Sequence, residues 1–322
     1  MPRPTTLSIV VPCFNEEAVL PETLKRLSAL LNELVADGRA SEESRLVLVD
    51  DGSRDRTWVM ITEATERQLP VVGVKLSRNR GHQVALLAGL AMAEGEAIVS
   101  VDADLQDDLG AIEKMLTEYE AGAEVVYGVR SRRDTDTVFK RGTARLFYRL
   151  MRFMGAETIE DHADYRLLSR RAVESLMQFR EVNLYLRGVI PLLGFKTAIV
   201  RYERQARFAG ESKYPLRKML ALAVDAITSF SVMPLRLIGM LGLIVSGIAA
   251  ALGSWILISA WIGFKSVPGW ASTVLPIYFF GGIQLVGIGV IGEYVGKIYL
   301  ETKDRPRYFI EAICRRKQNI SE

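Results

Sequence analysis

A chain of 322 residues is long enough for one sizeable α/β domain with an appendage, and too long for a minimal binding module. Its two cysteines, Cys13 and Cys314, lack CxxC spacing and its two histidines, His82 and His162, stand far apart, which excludes a disulfide framework and a Cys/His zinc site. The formal charge of +3 hides an uneven layout: carboxylates fill the first two-thirds, and charge vanishes near residue 240.

The opening MPRPTTLSIVV has too short an apolar run for a signal peptide and no small-residue cleavage site, so it reads as a first strand that stays in the cytosol. Four apolar runs follow one another: Leu7 to Val11, Leu46 to Val49, Val71 to Leu76 and Ala97 to Val101. They alternate with helical periods such as Leu20, Leu24, Leu27, Leu31 and Leu34. That order predicts an α/β domain with a mostly parallel, Rossmann-like sheet, and the β-branched runs suit strands buried on both faces. Polar clusters come after each run, PCFNEE, DDGSRDRT, SRNRGHQ and DADLQDD. The carboxyl edge where they gather is where open α/β sheets bind ligands.

Two clusters carry recognisable chemistry. In Asp50-Asp51-Gly52-Ser53, Gly52 permits a sharp turn, and a carboxylate there can accept hydrogen bonds from a base or ribose; a plain strand, turn and helix cap explains it equally. In Asp102-Ala103-Asp104-Leu105-Gln106, three oxygen-bearing side chains spaced by two can point one way from extended backbone. Hard oxygen ligands suit Mg2+ or Mn2+ on a diphosphate, and the bland alternative is a solvated acidic turn.

Farther on, Leu216, Met219, Leu220, Ala223, Ile227 and Phe230 recur at helical spacing, as in a helix lying in the headgroup layer or an ordinary amphipathic one. The chain then runs uncharged from Leu237 to Phe264 and again from Ser266 to Gly292. Each run exceeds the roughly 20 residues that cross a bilayer as a helix. Lys and Arg crowd both outer flanks (Arg217, Lys218 and Arg236; Lys297, Lys303, Arg305 and Arg307) while the connection holds only Lys265, so a hairpin with both termini cytosolic is expected. The expected layout is a catalytic domain over 1–214, a juxtamembrane amphipathic helix over 215–235, two spans within 236–296 (about 237–264 and 269–294), and a basic tail over 297–322.

The pieces VVPCFNEE, VDDGSRDRT, LSRNRGHQVALLAGL, VDADLQD, YGVRSRR, DYRLLSR, FAGESKYP, ITSFSVMPLR and GGIQLVGIGVIGEYVGKIYLETKDRPRY together resemble the family 2 glycosyltransferases of GT-A fold. The resemblance is to the polyprenyl-phosphate branch, which includes dolichol-phosphate mannose synthase and the bactoprenol glucosyl transferases, and it covers nearly the whole chain. It implies a hexosyltransferase using Mg2+ or Mn2+, with a nucleotide-sugar donor, a polyprenyl (undecaprenyl) phosphate acceptor and a cytoplasmic-membrane location. UDP-glucose is the first-choice donor, ahead of GDP-mannose, UDP-galactose, a UDP-N-acetylhexosamine or a UDP-aminoarabinose derivative.

Carried over by motif, Pro12, Asn15, Glu16, Glu17, Asp50, Asp51, Asp102 and Ala103 face the nucleotide-sugar, and Asp102, Asp104 and Gln106 hold metal and diphosphate. Arg130, Lys140, Arg141 and Arg145 suit the lipid phosphate, with a solvated basic face as the alternative. Arg207 and Lys213, in the stretch Arg204 to Pro215, belong to a mobile lid and join Asp104 and Asp164 as catalytic candidates. Asp164 equally fits an orienting partner for Arg166 or Arg170. Two departures stand out: DLQDDLG in place of the family's DLQDPP, and ADYRL in place of GDFRL. Neither removes a polar functional group. A homo-oligomer stays open, and no nucleic-acid partner is expected. The rivals are a processive synthase, whose QxxRW motif is absent, and a non-catalytic scaffold or sugar-lipid transporter subunit, for which the metal carboxylates would be superfluous.

Overall fold

The computed structural model describes residues 3–67, 69–130, 162–181, 186–203, 233–262 and 270–315. The chain forms two compact units, one from Met1–Tyr148, Glu157–Lys213 and Arg305–Glu322, the other from Arg149–Ala156 and Tyr214–Asp304.

In the first unit β1 (Leu7–Cys13), β2 (Arg45–Asp50), β3 (Val71–Leu76) and β4 (Ala97–Ser100) alternate with α1 (Leu20–Ala36), α2 (Thr57–Glu66) and α3 (His82–Met92). β1 pairs in parallel with β2 on one side and β4 on the other, and β2 pairs in parallel with β3. The chain therefore winds outward from β1 to β3, then returns to place β4 against the other flank of β1. The gap between β1 and β4 at their carboxyl ends is the kind of switch point where α/β sheets bind ligands. All seven residues of β1 are buried, as a strand covered on both faces requires. α1 turns Leu20, Leu24, Leu27, Leu31 and Leu34 into the core, the face read from the sequence. Each such leucine contributes about 1.5–3 kcal/mol as an upper figure.

The remaining strands were not foreseen. After α4 (Ala111–Glu120) come β5 (Val125–Arg130), β6 (His162–Ser169), α5 (Arg170–Met177), α6 (Leu186–Leu192) and β7 (Thr197–Tyr202). β6 lies antiparallel between β4 and β5, and β7 runs parallel to β5 at one edge. The other edge is β8 (Ile310–Arg315), antiparallel to β3, so the full order is β7-β5-β6-β4-β1-β2-β3-β8. Gly73 makes room for that last strand. A Cβ there would lie 2.4 Å from Cys314 Sγ and 2.5 Å from Ile61 Cγ2.

The second unit contains α7 (Met233–Trp261) and α8 (Trp270–Thr302). Both expose large apolar side chains, among them Leu243, Ile244, Ile248 and Trp255 on α7 and Leu285, Val286 and Ile288 on α8. Apolar surface on this scale marks an interaction face, for another protein surface or for a membrane. The helices touch where Gly287 of α8 meets Ile238 of α7, small against large as close helix contact requires. Among the described residues Phe279–Thr302, 24 residues, is the stretch long and apolar enough to cross a membrane. α8 runs past the expected end at 294, carrying Lys297 and Glu301. The expected amphipathic helix over 215–235 lies, but for its last residues, outside the described residues, as do Lys265 and the tail beyond Arg315.

Candidate active site

The first two polar clusters are stitched together at the carboxyl edge. The backbone N–H of Asn15 donates to Ser53 Oγ at 2.9 Å, and Asn15 Oδ1 accepts from the N–H of Arg54 at 2.9 Å. Glu16 N–H donates to Thr57 Oγ1, Glu17 N–H to Asp55 Oδ2, and Arg56 N–H to Glu17 Oε2. Asn15 adopts φ 56, a left-handed conformation that asparagine tolerates better than most residues. Asn15 and Glu17 thus hold the PCFNEE loop to the DDGSRDRT loop, a use that their residue types alone did not reveal. Pro12 lies inside β1, opposite Val49 of β2.

The adjacent aspartates Asp50 and Asp51 diverge. Asp51 accepts from the N–H groups of Arg80 at 2.7 Å and Gly81 at 2.8 Å, fixing the loop that leads into α3. Gly52, at φ 68, lets this loop approach: a Cβ there would sit 2.6 Å from the amide nitrogen of Asn79. Asp50 is fully buried; its Oδ1 accepts from Ser53 N–H at 3.1 Å, and its Oδ2 has no hydrogen-bond partner among the described residues. Burial pushes the pKa of both carboxyls up, against the hydrogen bonds of Ser53 for Asp50 and of Arg80 and Gly81 for Asp51.

The metal-type motif follows β4. Leu105 turns left-handed at φ 55, a conformation of about 1–2 kcal/mol cost that persists where the surroundings enforce it. Thr23 Oγ1 of α1 donates to the carbonyl of Ala103 at 2.8 Å, and Gln106 N–H donates to Asp104 Oδ1 at 3.2 Å. Asp102 keeps 37% of its side chain accessible, so it faces an opening. Its pKa is nonetheless pushed up to about 6, first by burial and then by Asp107, Asp164 and Asp104, with His82 opposing.

Asp164 sits across from this motif on β6. Arg166 Nη2 reaches Asp164 Oδ1 at 2.5 Å, and Arg187 of α6 grips both oxygens at 3.1 and 2.9 Å. Burial alone would raise this carboxyl, but Arg166, Arg187 and His82 together outweigh it and hold it well below the usual carboxylate range. His82 Nε2 lies 3.7 Å from Asp164 Oδ2 and 3.4 Å from Asp102 Oδ1, bridging the two carboxylates. Asp164 therefore both orients Arg166 and stands beside the Asp102 to Gln106 cluster. Arg170, the other partner considered, donates instead to the carbonyls of Gly95 and Ala93.

Among the basic candidates, Arg130 ends β5, with its Nε donating to Tyr202 Oη at 3.3 Å. Lys140, Arg141, Arg145, Arg207 and Lys213 lie outside the described residues. Sequence reasoning missed His82, Arg187, Asp107 and Tyr202. His82 lay within a polar cluster after a strand, which is a usable signal; Arg187 is flanked by apolar residues and gives none.

Residues 8–177 match the family described as Glycosyl transferase family 2. The uncharacterized glycosyltransferase YkoT of Bacillus subtilis is 48% identical, over 95% of this chain and 91% of its own length. The prophage bactoprenol glucosyl transferase homolog of Escherichia coli is 40% identical over 95% and 99%, as is the bactoprenol glucosyl transferase of Shigella phage SfX. Among solved structures, S. aureus TarS 1-349 in complex with UDP-GlcNAc is 17% identical with a TM-score of 0.47, covering 70% of this chain and 66% of that one, too distant to inform the chemistry. The chain belongs to glycosyl transferase family 2. It is a glycosyltransferase with an α/β, GT-A-like fold and a mostly parallel sheet.

Proposed function

We propose that this chain transfers a hexose from a nucleotide-sugar to polyprenyl (undecaprenyl) phosphate, with inversion at the anomeric carbon, at the cytosolic face of a membrane. UDP-glucose is the preferred donor. The observation that supports this most directly is Asp102, at the carboxyl end of β4 beside the β1/β4 switch point and crowded by Asp104, Asp107 and Asp164. Relatives named bactoprenol glucosyl transferase, 40% identical over 95% of the chain, support the choice of acceptor and of glucose.

Among the described residues no three His, Cys, Asp or Glu side chains form a complete metal cage. The concentration of negative charge around Asp102 still fits a divalent cation, because Mg2+ is usually held by one or two carboxylates while substrate phosphates supply further oxygens. Asp102, Asp104 and Gln106 would hold Mg2+ or Mn2+, which supplies charge neutralisation for the departing diphosphate. Asp50 Oδ2, buried and without a hydrogen-bond partner among the described residues, offers an acceptor to a base or ribose N–H or O–H. Arg130 offers guanidinium donors to the lipid phosphate. That phosphate has a second pKa near about 6, so it is largely anionic at neutral pH and attacks the anomeric carbon directly, with little demand for a general base. Asp164, clamped by two arginines, keeps its charge, and His82 lies between it and Asp102.

The two long helices are read as a transmembrane hairpin. β8 joins the same sheet as β1 to β4, which supports a path out through α7 and back through α8 to one compartment, with an even number of crossings. Exposed apolar side chains along both helices fit two crossings better than none. A multi-pass anchor keeps the active site at the surface where a lipid acceptor resides.

The test is transfer of radiolabelled sugar from a panel of nucleotide-sugars to undecaprenyl phosphate in detergent, with and without Mg2+ or Mn2+. Label should enter the organic phase from UDP-glucose, require the cation, and vanish in Asp104→Ala. No transfer from any donor would overturn the proposal and favour a non-catalytic scaffold.

A further inference from the structure

Asp107 closes the Asp-Leu-Gln-Asp run, and beyond adding to the charge around Asp102 it has no part in the chemistry above. Its side chain is 1% exposed, an unfavourable place for a carboxylate without compensation. Tyr202, the last residue of β7, donates its hydroxyl to Asp107 Oδ1 at 2.6 Å, and Arg130 Nη2 lies 3.7 Å from the same oxygen. Arg130 Nε in turn donates to Tyr202 Oη at 3.3 Å. The phenol is thus acceptor and donor at once, in a chain running from Arg130 through Tyr202 to Asp107.

The inserted phenol has a chemical effect that a direct pair would lack. A bidentate Arg–Asp pair would occupy two guanidinium donors in a fixed fork. Here the tyrosine takes the Nε–H, and at 3.7 Å the contact of Nη2 with Asp107 is an ion pair and not a hydrogen bond. The guanidinium is positioned and its charge favoured, while both Nη groups retain hydrogens for a bidentate anion. The side chain of Arg130 is 28% exposed, so the anion can reach it. Burial works against its charge, but Tyr202, Asp107 and then Asp102 outweigh it, which puts Arg130 within electrostatic reach of the carboxylate that heads the metal motif. Tyr202 is itself fixed: its ring meets that of Tyr165 edge-on at 5.1 Å, and the Tyr165 hydroxyl donates to the carbonyl of Asp108 at 2.8 Å. Two strand tyrosines hold consecutive residues of the loop that begins at Asp102.

We propose that Tyr202 is a positioning residue that, with Asp107, aims the Nη groups of Arg130 at the acceptor phosphate and ties that arginine to the metal-motif loop. This rests on the acceptor assigned under the proposed function. The hydroxyl acts on acceptor binding through Arg130, while the loop keeps its second hold from the Tyr165 hydroxyl on the Asp108 carbonyl.

The test uses the full chain in detergent with farnesyl phosphate as acceptor probe and UDP as donor probe, both followed by calorimetry, with thermal melting to verify folding. Tyr202→Phe, which keeps the ring and removes the hydroxyl, should weaken farnesyl phosphate about tenfold while leaving UDP affinity within about twofold. In an Arg130→Ala background the same substitution should add less than about twofold, since it acts through the arginine. Unchanged farnesyl phosphate binding by folded Tyr202→Phe would overturn the proposal, as would a full tenfold loss in the absence of Arg130. A wild-type chain that binds UDP but not farnesyl phosphate would instead overturn the acceptor reading itself, and the role of Tyr202 with it.

Discussion

Arg166 and Asp164 stand two residues apart on β6, on one face of the strand, with guanidinium and carboxylate 2.5 Å apart and the arginine side chain 1% exposed. A buried pair contributes little net stability when intact, but removing one partner strands the other. Asp164→Asn should therefore lower the unfolding free energy by about 3–5 kcal/mol, read from urea unfolding. The wild-type carboxyl titrates below its unfolded value of about 3.9, so its contribution is full at neutral pH and fades as pH falls below that value toward the depressed folded one. The variant should accordingly show a shallower loss of stability between about pH 5 and pH 2.

Asp102 shows the opposite shift. With a pKa of about 6, it is protonated in the cation-free protein below that pH, and a proton there competes with a cation. Mn2+ should raise Tm more at pH 7.5 than at pH 5.5, and Asp102→Asn should abolish the rise at both. Equal metal stabilisation at the two pH values would show that Asp102 is not the ligand.

The neighbouring aspartates should separate in a melting experiment. Asp51→Ala leaves the amides of Arg80 and Gly81 without their acceptor and should cost about 1–3 kcal/mol per lost partner. Asp50→Asn removes a buried charge whose pKa is raised, so the ligand-free protein should melt higher at neutral pH. The same Asn variant should bind UDP more weakly. A lower Tm together with unchanged UDP binding would contradict the assignment of Asp50.

Gly73→Ala drives a methyl group into Cys314 and Ile61. Overpacking of this kind costs about 1–3 kcal/mol, and the edge strand is the part free to yield. Amide exchange across 310–315 should accelerate, while that of β1 and β2 stays slow. Uniform acceleration across the sheet would mean that β8 is not the weak partner.

Much of this architecture is legible in the chain itself. The parallel half is, because near-continuous runs such as Leu46 to Val49 mark strands buried on both faces, and the five leucines of α1 mark one helix face. The rest depends on partners distant in sequence. His162 to Ser169 contains Asp164 and Arg166 at core positions, and charged residues there do not look like a central strand until Arg187 and Tyr127 surround them. β8 alternates half-buried and exposed residues and finds its register only against β3. At the site, Asp102 and Asp104 announced themselves by spacing. Asn15 and Glu17 did not disclose that their side chains bind loop backbone, since a polar residue after a strand looks the same whether it meets a ligand or a neighbouring turn.

The pairing of β3 with β8 also orders events during synthesis. β3 emerges from the ribosome early, but the residues that cover its open edge emerge only after both long helices have been made. Until then Val71–Leu76 presents unpaired N–H and C=O groups and the empty notch beside Gly73, the kind of edge that recruits stray strands. Completion of the sheet thus waits on the appearance of α8. A nascent chain that stalls between the two would carry an exposed adhesive border, and folding of this enzyme would then depend on how quickly its two long helices are made.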